Sequence, residues 1–275
     1  MSGGNAWKKT SVVDVSVFFL IIQKSIRGCQ RSLGGGNYRE RDGSFIYNSC
    51  IFVIVARCAR EGPTESFDVL DCAGKKTGKV IARDDAHETG VWHGAFHCLM
   101  ITEVNHRQCA LFQKRSALKK IAPNRFDVSV GGHYASGEDA RVAGPREISE
   151  ELGIAAPFSG LIPLGRRIFV YCFTPEVREY EFQDVFLLPC SIRSEDLTLQ
   201  QEELDGIIFA EVEQGIALFS GRIRQLETVL YRSDGSRQTI PVSAGDFVPC
   251  LDSYYLKLLV LARRYLNGER EALVI

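Results

Sequence analysis

Between Gly132 and Ile154 the chain reads GHYASGEDARVAGPREISEELGI, and its acidic residues recur at the spacing of one helical face. Positions i, i+3 and i+4 of an α-helix are surface neighbours, so Glu147, Glu150 and Glu151 are expected to point the same way. Ile148 and Leu152, also four apart, form an apolar face suited to a core. Carboxylates gathered like this repel one another by about 0.2–0.5 kcal/mol per exposed pair. A hard divalent cation, which takes oxygen ligands, removes that cost. Gly144-Pro145 interrupts the pattern. Proline inside a helix loses a hydrogen bond and clashes with the preceding turn, at about 3 kcal/mol, but costs little at the first helical position. The glutamate-bearing helix is therefore expected to start, or kink sharply, at Pro145 rather than run unbroken from about Asp139.

The elements around this stretch must hold it. Phe126–Gly131 (FDVSVG) reads as a strand running straight into it. Upstream, Phe67–Asp71 and Lys79–Arg83 flank the turn-forming Ala73–Gly78, the signature of a hairpin. His93–Glu103 and Cys109–Arg115 read as a second strand pair. Downstream come strands at Arg166–Phe173, Glu181–Pro189 and Gly206–Val212, then a short helix at Glu213–Ser220. A hairpin of Thr228–Tyr231 and Gln238–Val242 precedes an amphipathic helix at Leu251–Leu266. Strands before and after one central helix predict an α/β sandwich with a mixed sheet.

Composition narrows the class further. The chain has 275 residues, 45% hydrophobic and 24% charged, with a formal net charge of −1, ordinary for a globular protein. Residues 1–39 hold six basic side chains (Lys8, Lys9, Lys24, Arg27, Arg31, Arg39) against Asp14 alone, so the remainder is mildly acidic and gives no reason to expect nucleic acid as a partner. The nine cysteines are scattered, odd in number and without a C-x2-C pair, which argues against a zinc finger or a disulfide framework and for a reducing compartment such as the cytoplasm. Val12–Ile22 is apolar but too short to span a membrane. Residues 1–60 read as an N-terminal extension, either a flexible leader joined through Gly34-Gly35-Gly36 or, being basic and nearly acid-free, a mitochondrial transit peptide. Residues 61–275 read as a single catalytic domain.

The Gly132–Ile154 stretch resembles the Nudix box, G-x5-E-x7-R-E-U-x-E-E-x-G-U with U apolar, at every defined position. The surrounding ESFDVLDCAGKKTGKVIARDDAHETGVWHGAFHCLMI, FQKRS, NRFDVSVGGHYASGE, EFQDVFLL and FVP are similar to the Nudix hydrolases related to isopentenyl-diphosphate isomerase, from about Glu65 to Asn267. The resemblance implies a Nudix fold, an α/β/α sandwich with a mixed β-sheet, carrying the box at 132–154 and a C-terminal hairpin and helix. It implies hydrolysis of a phosphoanhydride bond in a nucleoside diphosphate-type or related small molecule by water, assisted by Mg²⁺ or Mn²⁺. Glu147, Glu150 and Glu151 would be metal ligands, joined by the carbonyl of Gly131. Glu138 would support the site, and Arg146 would orient a box glutamate through a charge-assisted hydrogen bond. The general base is left between Glu147 and the later Glu202 or Glu203. Arg115, Lys119 and Lys120 are candidates for phosphate contact, and Trp92 for stacking on a base or for packing in its hairpin.

The isomerases place a catalytic cysteine directly before the Gly-His that opens the box region, and here that place is Gly131. His87, His93, His133, Glu179 and Glu181 nevertheless fall near the isomerase's metal-binding histidines and glutamates, where they serve either as ligands or as scaffold. An isomerase and a non-catalytic ligand-binding module are the alternatives to the hydrolase. A homodimer is compatible with the sequence; no membrane span is expected.

Overall fold

The computed structural model describes residues 65–275; the expected N-terminal extension and the apolar Val12–Ile22 run lie outside them. Among the described residues no helix is long and apolar enough to cross a membrane. The described residues open with a separate two-stranded hairpin, β1 (Ser66–Leu70) and β2 (Lys76–Ala82), which leads into the short helix α1 (Arg83–Thr89). Lys79–Arg83, expected as the returning strand, thus ends as a helix start. Asp84 and Asp85 sit in the first helical turn and Gly90 caps its C-terminus at φ 71°, a left-handed conformation that glycine adopts without a Cβ penalty.

The main sheet is organised by β3 (His93–Val104), whose first ten residues are all buried. Side chains alternate across a strand. Leu99 and Ile101 enter one core, with α3 (Val212–Phe219) and α4 (Tyr254–Leu266), while Phe96, Cys98 and Met100 enter another, against α2 (Ala140–Leu152). Helices on both faces of one sheet make the α/β/α sandwich. The strand order is β11 (Arg237–Ser243), β10 (Gln225–Arg232), β9 (Leu204–Glu211), β4 (Arg107–Arg115), β3, β8 (Val177–Pro189), β7 (Ile162–Thr174). The β3–β8 pair is parallel and the other pairs are antiparallel, so the sheet is mixed.

The strand expected at Phe126–Gly131 is two strands. β3 and β4 pair only from Met100↔Leu111 to Val104↔Arg107 and then part. Phe126–Asp127 (β5) stays with β4, while Val130–His133 (β6) pairs with β3. Ser129 sits at the fork and bridges both edges: its Oγ donates to the Leu111 carbonyl at 2.5 Å and accepts the Met100 N–H at 2.7 Å. The opening below the fork is where the box residues meet.

The expectation that the helix starts at Pro145 is overturned. Helix α2 runs from Ala140 to Leu152 with Pro145 inside it, and its N-cap is Asp139. The Asp139 side chain accepts the N–H groups of Arg141 and Val142, and its carbonyl accepts those of Val142 and Ala143. That cap satisfies the first turn upstream of the proline. Pro145 cannot bond to the carbonyl of Arg141, but Arg141 is exposed and water can serve that carbonyl. Gly144 explains the rest: a Cβ there would lie 2.7 Å from the Phe96 ring, so the glycine lets the helix settle onto β3.

Candidate active site

A cavity of about 710 Å³ opens at the fork, and α2 presents its glutamates to it. Glu147 and Glu151, one turn apart, are buried, at 8% and 4% exposure. Glu147 lies across Gly132 so closely that a Cβ on Gly132 would be 2.1 Å from its carboxyl carbon. Glu151 Oε2 accepts the Gly131 N–H and the Gln113 side-chain amide, each at 3.4 Å. All three glutamates line the cavity, as their spacing predicts, but Glu150 is exposed at its outer edge, because a helix rotates about 100° per residue and the i+3 position falls on the rim of the buried stripe.

Arg146 ties this group together. Its Nε and Nη2 donate to the two Glu138 oxygens at 3.0 and 2.7 Å. Its Nη1 donates to Glu147 and to Glu150, both at 2.9 Å, and Nη2 also reaches the His133 carbonyl at 3.2 Å. Glu138 additionally accepts the Ala135 N–H at 3.0 Å. Burial pushes Glu147 up to about 7 against the opposing pull of Arg146. Burial and then the charge of Glu147 raise Glu151 well above the carboxylate range. Two buried carboxyls held away from their charged forms are a donor set that a divalent cation would let ionise together. The residues fit such an ion.

The residues expected to meet substrate are placed unequally. Arg115, Lys119 and Lys120 line the cavity, and each has a partner within the protein. Arg115 donates from Nε and Nη2 to the Ile121 carbonyl at 3.2 and 2.9 Å and lies 3.6 Å from Asp127. Lys119 is ion-paired with Glu203, and Lys120 with Asp84 at 2.7 Å. Trp92 packs on Tyr180 and Phe182, at 5.3 and 4.9 Å between ring centroids, away from the cavity lining. Of the later glutamates, Glu202 is exposed at the rim. For Glu203 burial would raise the pKa, but the ammonium of Lys119 overcomes it and holds the carboxyl below its usual value.

A second group lies on the adjoining wall. His87 from α1, His93 from β3, His133 from β6 and Glu179 from β8 bring one ligand-capable atom each to within 4.8 Å of one another. His93 Nδ1 is 2.8 Å from the Val91 carbonyl; a carbonyl accepts, so that nitrogen carries the proton and Nε2 presents a lone pair. Nε2 of His87 and of His93 and Oε1 of Glu179 are buried without a hydrogen-bond partner among the described residues, a situation costing about 1–3 kcal/mol per atom unless something completes it. Burial, with the neighbouring histidines adding to it, holds His87 down to about 3; burial holds His133 at about 4 even though Glu181 accepts a hydrogen bond from it at 2.9 Å. Burial and the adjacent charge of Glu181 raise Glu179, while the contact with Glu179 and the hydrogen bond from His133 outweigh burial and hold Glu181 below its ordinary value. Neutral imidazoles with one carboxylate suit a first-row transition metal better than Mg²⁺.

Several residues at the cavity escaped the sequence reading. His97 and Gln183 share strand faces with His93 and Glu181, and the period-2 spacing of His93 and His97 was the signal for the first of them. Arg167, buried in β7, gives its Nε and Nη2 to Asp252 at 2.9 and 2.8 Å and its Nη1 to Gln183 at 2.7 Å. Nothing local in sequence links partners 85 positions apart.

Comparison with known proteins agrees with this geometry. The NUDIX domain family model matches residues 91–229. An uncharacterized Nudix hydrolase of Clostridium acetobutylicum is 32% identical over 195 residues, 70% of this chain and 93% of that protein. An uncharacterized Nudix hydrolase of Listeria monocytogenes is 33% identical over 57% of this chain and 85% of its own length. An isopentenyl-diphosphate Delta-isomerase of Aliivibrio fischeri is 29% identical over 45% of this chain and 67% of its own length. The match of the domain model to half the chain, with a relative aligned over almost its whole length, places the helix of Glu147 and Glu151 in its family: the chain belongs to the Nudix hydrolase family.

Proposed function

We propose that this Nudix hydrolase uses Mg²⁺, or Mn²⁺ in its place, to cleave the phosphoanhydride bond of a nucleoside diphosphate-type or related small molecule. The observation that carries the reading is the pair of buried carboxyls, Glu147 and Glu151, packed over Gly131 and Gly132 with Arg146 bracing one of them. Glu147, Glu150 and Glu151 would hold the ion, with the Gly131 carbonyl as a further oxygen. A bound divalent cation would draw charge from phosphate oxygens and lower the pKa of the attacking water. Arg146 orients Glu147 and Glu150, and Glu138 holds Arg146. Arg115, Lys119 and Lys120 line the cavity and would meet phosphate oxygens by exchanging their present partners for the substrate. Water is activated by Glu147 or by Glu203, which the Lys119 ion pair keeps ionised.

The His87–His93–His133–Glu179 group supports a second reading, isomerisation of a prenyl diphosphate, because a similar protein is an isopentenyl-diphosphate isomerase. Gly131 weighs against it, since no thiol stands at that position. One experiment separates the two. A panel of nucleoside diphosphates, nucleotide sugars, dinucleotides and prenyl diphosphates is incubated with Mg²⁺ or Mn²⁺, and both release of phosphate or of a monophosphate and double-bond migration are followed. Release from at least one compound is expected, with Glu151→Gln lowering kcat by about 10²-fold or more. Migration without release would replace the hydrolase reading with the isomerase one, and binding without either would leave a ligand-binding module.

A further inference from the structure

His97 sits in the middle of β3, opposite Gly131 on β6 and Val185 on β8. It is 9% exposed, and what exposure it has faces the cavity. Its Nδ1 lies 3.1 Å from the hydroxyl of Tyr254, the first residue of α4, which is itself 1% exposed. The shared proton belongs to the tyrosine. Among the described residues the Tyr254 hydroxyl has no other acceptor, so a proton on Nδ1 would leave a buried O–H unpaired, at a cost of about 1–3 kcal/mol. Burial keeps the phenol protonated. A ring that accepts from the tyrosine at Nδ1 carries its one proton on Nε2.

The Nε2 end is left open by a glycine. A Cβ on Gly131 would lie 3.4 Å from Nε2 and 3.5 Å from Cδ2, so a longer side chain at that position would cover the nitrogen. Nε2 has no hydrogen-bond partner among the described residues. On the helix side of the same Gly131–Gly132 turn of strand lie Glu151 and Glu147. The imidazole donor and the box carboxylates thus converge on one short piece of β6 from opposite faces of the sheet.

We propose that His97 is a substrate-contacting residue whose Nε2–H donates a hydrogen bond to an oxygen of the bound diphosphate, and that Tyr254 is the positioning residue that fixes its tautomer. The identification of the ligand as a diphosphate rests on the function proposed above; the tautomer and the open donor rest on His97, Tyr254 and Gly131 alone. An uncharged donor suits this place. It strengthens as negative charge develops on the oxygen and adds no further cation to a cavity already holding Arg115, Lys119 and Arg146. Fixed by the tyrosine, it needs no reorganisation when charge develops.

The test uses the full chain with 15N-labelled histidine, His97→Gln identifying the His97 signals. Ring nitrogen spectra are expected to show His97 with a bare Nδ1 and a protonated Nε2, and Tyr254→Phe should mix the tautomers. Methylene diphosphonate, a diphosphate that cannot be hydrolysed, added with Mg²⁺ should shift the Nε2 signal in the wild type. In turnover, His97→Leu should lower kcat by about 10²–10³-fold with a smaller change in KM, and His97→Gln, which offers an amide donor near the same place, should recover most of it. A proton on Nδ1, an Nε2 signal unmoved by the diphosphonate, or full kcat in His97→Leu overturns the proposal while leaving diphosphate hydrolysis intact. A shifted Nε2 signal in a protein that hydrolyses no member of the panel overturns the hydrolase reading and leaves the His97 contact standing.

Discussion

Glycine 132 shows how far one missing side chain can decide a site. The carboxyl of Glu147 occupies the space a Cβ would take, at 2.1–2.4 Å from its three carboxyl atoms, well inside van der Waals contact. Gly132 is not among the residues of positive φ, so alanine is tolerable to the backbone and the conflict is with Glu147 alone. Gly132→Ala is expected to fold, to displace the carboxyl by an ångström or more, and to lower kcat by about 10²-fold. Steady-state kinetics with a circular dichroism control checks this; a fully active Gly132→Ala would show that Glu147 is not held where the reaction needs it. The spacing of the glutamates was legible in the sequence because helical geometry is regular. Their burial was not, since whether Glu150 or Glu147 turns inward depends on where the helix axis lies over the sheet, and Gly144 against Phe96 sets that.

At the scale of elements, helix α2 carries a defect at a place where it does little damage. Pro145 forgoes one hydrogen bond in the second turn, whereas Asp139 secures the first and Gly153, at φ 71°, closes the end. Pro145→Ala restores the bond to Arg141 and is expected to stabilise the protein by about 1–3 kcal/mol, raising Tm by about 2–4 °C for each kcal/mol, with kcat unchanged. A lower Tm would mean that the proline's ring contacts matter more than the bond it lacks. Gly144→Ala should do the reverse, because its methyl group would press on the Phe96 ring at 2.7 Å. The same pair of residues explains a failure of reading. Proline was the louder local signal, yet the aspartate six positions earlier was the cap, and tertiary burial of Ala143 and Gly144 settled the helix start. Long elements such as β3 were legible through composition and length. The split of Phe126–Gly131 at Ser129 was not, because a fork is a property of two other strands parting.

Across the whole molecule, the cavity is closed on the side away from α2 by a clasp between β7 and the start of α4. Arg167, 7% exposed, makes a bidentate pair with Asp252 and lies 3.8 Å over the ring of Tyr254, the residue that meets His97. Removing the carboxylate leaves the buried guanidinium with only Gln183 to accept from it, and because Asp252 is itself about one-third exposed, Asp252→Asn is expected to cost about 1–2 kcal/mol near neutral pH. The acid dependence identifies the source. Burial alone would raise the Asp252 carboxyl, but the hydrogen bonds and charge of Arg167 outweigh it and hold the group below its ordinary value. A carboxyl lowered in the folded state binds fewer protons there than in the unfolded chain. Its stabilisation is therefore complete above the unfolded value of about 3.9 and is lost as pH falls through the lower folded value. Urea unfolding at a series of pH values should show a constant gap between wild type and Asp252→Asn from neutral pH down to about 4, narrowing below that. Because Arg167 is buried, the gap should change little with added salt. A gap that persists undiminished at about pH 2, below both values, would mean that the contribution comes from the packing of Arg167 on Tyr254 and Phe169, at 3.8 and 4.7 Å, rather than from the ion pair.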